Sequence, residues 1–158
     1  MKYEHLLGRE FVHGKTDCYD LVRCFYRDNF AIELTNYARP DFWWREGLNL
    51  YIDNFRKEGF EVLDIPVYQA QPADVLLAAV MSSGVANHAG VFVGDGKVLH
   101  HYPTRFSEVV PLKGIWRNSV CALVRHKDVV IDRKVPTLDL MDLLPPQKRR
   151  QLDEYVAG

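Results

Sequence analysis

The spacing of apolar residues along the chain changes character near residue 60. Before that point it is helical. Leu21, Val22 and Phe25 fall on one face with Cys18, and Asp17 stands where an N-cap belongs, with Asp20 three residues on as a weak capping-box partner. Arg39-Pro40-Asp41 breaks the chain, and Phe42, Trp43 and Trp44 follow. Leu48, Tyr51, Ile52 and Phe55 predict a second amphipathic helix over 48–58, stopped by Gly59. After residue 60 the runs are short and strand-like. Phe60, Val62 and Leu63 form one, 75–80 a buried one after Pro72, and 120–124 the last. Residues 89–93 and 98–102 flank Gly94-Asp95-Gly96 as a hairpin. Helices first and an antiparallel sheet afterwards predict an α+β domain.

Past residue 127 the pattern lapses. A charged strip leads to an apolar cluster, Leu138, Leu140, Met141, Leu143 and Leu144, and then Pro145-Pro146 opens a polar helix, as proline in a first turn favours. The expected organisation is therefore one domain over 1–127 and a C-terminal extension over 128–158. The extension either packs on the domain or docks on a partner.

Composition narrows the function classes. A chain of 158 residues is long enough to bury an ordinary core as one domain. With 20 basic and 21 acidic residues there is no global basic field, so no nucleic-acid partner is expected. No apolar run approaches the ~20 residues of a membrane span, and the N-terminal residues show no signal peptide. No membrane insertion is expected, and the protein stays in the cytosol unless a particle carries it. Three cysteines, Cys18, Cys24 and Cys121, leave at least one free thiol.

Cys18 follows the helix cap directly. A helix N-terminus carries partial positive charge and free N–H groups, which favour a thiolate and lower its pKa. Cys24 is six residues on and faces elsewhere, while Cys121 lies in an apolar strand and reads as core. A thiolate nucleophile needs an imidazole, and the imidazole an orienting partner. His88 opens one strand of the hairpin, with His100 and His101 on the other. A two-residue Asp-Gly turn puts His101 on the His88 face; a three-residue loop with Gly96 left-handed, forming a bulge, puts His100 there. Pairing alone leaves both open.

The segment FVHGKTDCYDLVRCFYR, residues 11–27, resembles the nucleophile region of NlpC-type peptidases, papain-like cysteine peptidases that cut peptidoglycan peptides. QPADVLLA resembles their Pro-Gly-Asp strand, and NHAGVFVGDGKVLHH their histidine hairpin, whose twelve-residue spacing selects His88 and His100. The likeness covers about residues 6–126 and is closer still to the NlpC-like tail-tip assembly proteins of lambda-like siphophages, which share Asp-Cys-Tyr, Trp43-Trp44 and Asn87-His88-Ala89.

The resemblance implies a papain-like NlpC-type fold, N-terminal helices packed on a central antiparallel sheet, and a cysteine peptidase or amidase hydrolysing a stem-peptide bond beside D-glutamate and diaminopimelate. Cys18 is the nucleophile, His88 the base, His100 its orienting partner, and the Cys18 N–H the oxyanion donor. An upstream tyrosine that helps the oxyanion in many members is here Phe11, for which His13 is a possible substitute. Asp17, Tyr19, Asp20, Arg23, Trp43, Trp44, Asn87 and His101 are the expected cleft residues, with Tyr19-Asp20 replacing the family's small pair. No cofactor and no metal is implied; a zinc site from Cys18, His88 and His100 lacks a Cys-x-x-Cys pair. Expected partners are the stem peptide and other tail-tip proteins, in the virion tail tip. The alternatives are an acyltransferase or amidase with the same residues, or a structural tail-tip component with little or no hydrolytic activity.

Overall fold

A computed structural model of the chain describes residues 1–82, 84–131 and 148. The apolar segment and polar helix expected in the C-terminal extension lie outside the described residues, apart from Lys148. Short of that limit, Val129 and Ile131 still pack against the main core.

Two helices precede the sheet, α1 over Cys18–Phe30 and α2 over Leu50–Lys57. Helix α1 ends where Ala31 turns left-handed and its N–H returns to the Arg27 and Tyr26 carbonyls. The strands are β1 (Phe60–Leu63), β2 (Val75–Ala78), β3 (His88–Gly94), β4 (Lys97–His100), β5 (Glu108–Pro111) and β6 (Val120–His126). They form one antiparallel sheet in the order β1-β6-β2-β3-β4-β5. Strand β5 and the short helix α3, Ile115–Ser119, are additions to the sequence expectation. Both are too brief to display a period.

Alternation along β2 divides the core. Val75 and Leu77 face α1 and α2 with Ala89, Val91, Leu99 and Val124, while Leu76 and Ala78 face the other side with Phe92, Val98 and Trp116. Because both faces are covered, the strand is apolar throughout. Asp74, just ahead of it, is almost fully buried and accepts two bonds from the Arg125 guanidinium on β6, at 2.7 and 2.8 Å. Cys121, expected in the core, is instead exposed, because its position on β6 turns outward.

Candidate active site

The start of α1 is held by a buried carboxylate. Asp17 Oδ1 accepts the Asp20 N–H at 3.0 Å, and Oδ2 accepts the Gly14 N–H at 2.8 Å and Arg39 Nε at 2.7 Å. Asp17 and Arg39 are both buried, so Arg39, which reads as part of a chain break, is the counter-ion of the cap. The capping box does not close. The Asp20 carboxylate turns instead to Arg9 at 2.7 Å and Arg23 at 3.1 Å.

Cys18 follows the cap and is buried, with its Sγ 3.1 Å from the Tyr51 hydroxyl of α2. The expectation of a lowered thiol pKa does not hold in this structure. Burial, followed by the charge of Asp17, pushes it up to about 11, against the opposing Tyr51 hydroxyl and Ala89 N–H. Desolvation of a buried thiolate outweighs the helix terminus here.

The hairpin resolves the histidine register. Gly94 pairs with Lys97 across the two-residue Asp95-Gly96 turn, and both turn residues have positive φ, 50° and 65°. Between Phe92 and Gly94 the register shifts, so that Gly90 pairs with His100. The extra residue thus sits in β3 beside Gly94, at φ 97°, and not in a three-residue loop. One inserted residue reverses which side chains share a face. His100 thereby joins His88, and His88 Nε2 lies 3.2 Å from His100 Nδ1. His101 turns under Phe11, ring to ring at 5.2 Å.

Both paired histidines are held neutral. Burial, then the proximity of His100, lowers His88 to about 3; burial, then His101, lowers His100 to about 4. His100 Nε2 has no hydrogen-bond partner, and the nearest carboxylate, Glu108 on the facing strand β5, is 3.8 Å away. Trp116 covers the pair, its ring centroid 5.1 Å from that of His88 and 5.2 Å from that of His100. Gly90 makes room for it: a Cβ there would stand 2.6 Å from Trp116 Cη2 and 2.7 Å from Val98 Cγ1. Gly90→Ala is therefore expected to cost about 1–3 kcal/mol in urea unfolding through overpacking. An unchanged midpoint would mean that the tryptophan has room to move.

Cys18 and His88 open onto one groove of about 300 Å³. Of the residues expected at the cleft, Phe11, His13, Asp17, Trp43, Trp44 and Asn87 line it, together with Arg45, Tyr51, Met81 and Tyr102. Tyr19, Asp20 and His101 do not. Tyr19 is stacked behind Tyr51 and gives its hydroxyl to the Thr35 carbonyl, and Asp20 is bound to its two arginines. Arg23 is likewise held away, donating to the Leu34 carbonyl. His13 Nε2 is 2.8 Å from the Arg39 carbonyl and must donate there. Asn87 closes the 80–87 loop through two bonds to the Val80 backbone, both 2.8 Å.

Tyr51, Arg39, Tyr102 and Trp116 are neighbours that the sequence reading does not single out. Only Tyr51 carries a signal there, a hydroxyl on the apolar face of an amphipathic helix, which needs a partner when buried. Among the described residues no group of three or more His, Cys, Asp or Glu side chains is arranged to hold a metal ion.

A thiol at a capped helix start, sharing a groove with one member of a histidine pair on an antiparallel sheet, fits a papain-like α+β fold of the NlpC type. The chain belongs to the NlpC/P60 family, which it matches over residues 8–125. It is 44% identical over 123 residues to tail tip assembly protein K of Escherichia phage lambda, covering 78% of this chain and 60% of that protein. It is 37% identical over 129 residues to tail tip assembly protein K of Escherichia phage N15, covering 78% of this chain and 50% of that one. The chain thus spans less than two thirds of either relative. An NLP/P60-family protein from Staphylococcus aureus, described as similar to a lipoprotein, shares the fold at a TM-score of 0.53 and 16% identity, over 77% of this chain and 37% of that one.

Proposed function

We propose that the protein is a phage tail-tip cysteine peptidase that hydrolyses a stem-peptide bond of peptidoglycan during cell-wall penetration and genome entry. The observation that carries this reading is that Cys18 and His88 line one groove, with His88 Nε2 engaged from behind by His100. Family membership supports the reaction class, and the names of the phage relatives support a place among tail-tip proteins.

With Nε2 taken, His88 Nδ1 is the nitrogen left for the thiol. The resting pair is a neutral thiol and a neutral imidazole, so proton transfer accompanies attack. The Cys18 proton passes to His88, the sulfur bonds to the carbonyl carbon, and the carbonyl π pair moves to oxygen, where the Cys18 backbone N–H is a donor. Collapse breaks the C–N bond and His88 returns the proton to the leaving amine. Water then enters by the same route and hydrolyses the thioester.

The purified chain is to be incubated with Gram-negative peptidoglycan and the soluble fragments analysed by mass spectrometry. New stem-peptide fragments, cut beside D-glutamate and diaminopimelate, are the expected result. No fragments from a folded protein would favour the second reading, a structural tail-tip component that uses the peptidase fold for assembly. The absence of a hydroxyl at Phe11 is the observation on that side.

A further inference from the structure

We infer that the Tyr51 hydroxyl is the side-chain donor that carries Cys18 through its negatively charged states, first the thiolate and then the oxyanion of the tetrahedral intermediate. The inference rests on the peptidase reading and assigns to α2 a role in the reaction.

The Tyr51 hydroxyl is 3.1 Å from Cys18 Sγ, and no other partner competes for it among the side-chain bonds. The residue is buried yet lines the groove that Cys18 also lines, which puts the hydroxyl beside the place where a carbonyl would meet the sulfur. The ring is fixed by Tyr19 stacked at 6.1 Å, Trp43 at 5.3 Å and Phe55 at 6.3 Å. A donor locked by packing needs no reorganisation when charge develops. Burial and the neighbouring Cys18 also hold the phenol well above its ordinary pKa, so Tyr51 keeps its proton throughout. In the neutral thiol either atom donates; once the sulfur or the substrate oxygen is negative, only the hydroxyl can.

Tyr51 is the groove residue whose hydroxyl is bonded to the sulfur. Phe11 has no hydroxyl, and His13 already donates to the Arg39 carbonyl. The proton balance is unchanged: His88 takes and returns the Cys18 proton, while Tyr51 lends a hydrogen bond and exchanges none.

Tyr51→Phe retains the ring and its packing, so the fold is expected to persist, which circular dichroism checks. On a stem-peptide substrate kcat is expected to fall about 10²–10³-fold with KM within threefold, the pattern of a donor lost only in the transition state. Independently, iodoacetamide labelling of Cys18 at pH 8, followed at the Cys18 peptide to exclude Cys24 and Cys121, is expected to slow three- to tenfold, because the thiolate loses a donor. A purely structural Tyr51 would leave the labelling rate unmoved. A kcat within threefold of the parent, or an unchanged labelling rate, overturns the inference. Should the parent chain itself cut no wall peptide, the peptidase reading fails by that result. The labelling comparison still decides whether Tyr51 serves the thiolate.

Discussion

The Cys18→Ala protein is expected to release no stem-peptide fragments while remaining folded, a loss of at least ~10⁴-fold. The reason is that nothing in the groove replaces the sulfur. Cys24 lies on another side of α1, its Sγ near Asp20 and Arg9, and Cys121 is exposed on β6. The remaining groove residues supply a base, aromatic walls and paired charges, none of them a nucleophile. The substitution removes one buried sulfur and its bond to Tyr51 and leaves the Asp17–Arg39 pair intact. Its thermal midpoint should therefore stay close to that of the parent, and a folded, inactive protein is the outcome that separates chemistry from collapse. His88→Gln should reproduce the loss, since it removes the imidazole that takes the Cys18 proton in the proposed mechanism. Fragment release that survives in Cys18→Ala would remove the cysteine mechanism altogether.

Mild acid is expected to destabilise this protein well before its carboxylates titrate. In the unfolded chain His88 and His100 take up protons near pH 6.5; in the folded chain they do so only near 3 and 4. Above pH 6.5 both states are neutral at these positions and stability does not depend on them. Between 6.5 and 4 the unfolded state binds more protons, so stability falls as pH falls. One pKa unit corresponds to 1.36 kcal/mol, which puts the loss by pH 4 at about 3 kcal/mol for each histidine. Urea midpoints at pH 7, 5.5 and 4 measure it. The His88→Gln, His100→Gln double variant should show a much shallower decline, and an equal decline in that variant would place the acid sensitivity elsewhere. The cause is the burial of two imidazoles, set edge to face beneath Trp116 and dry enough to stay neutral.

Much of this site is legible locally. A cap followed by Cys18, and His88 opening a strand, are short-range features whose consequences follow from helix-terminus and strand geometry. The register is a harder case. The Asp95-Gly96 turn reads correctly as a turn, yet its two-residue form alone would select His101. It is the shift between Phe92 and Gly94 that brings His100 to His88, and a bulge depends on how β3 fits both its neighbours. The twelve-residue spacing of the resemblance reached the same histidine without locating the bulge. Asp20 departs from its capping-box position for a related reason: Arg23 stands one turn along α1, and folding brings Arg9 to the same carboxylate.

The α+β order of elements, a cysteine at a helix start, the histidines of the hairpin and the family resemblance are all readable along the chain. These follow from periodicity, capping chemistry and residues close in the chain. The environment that sets their protonation comes from packing between distant segments. Arg39 reaches Asp17 across 22 residues, and Tyr51 reaches Cys18 across 33. Burial of the thiol reverses the direction that the helix terminus alone would impose on its pKa. Desolvation is a property of the packed surroundings rather than of any segment, because it depends on what every neighbouring element excludes.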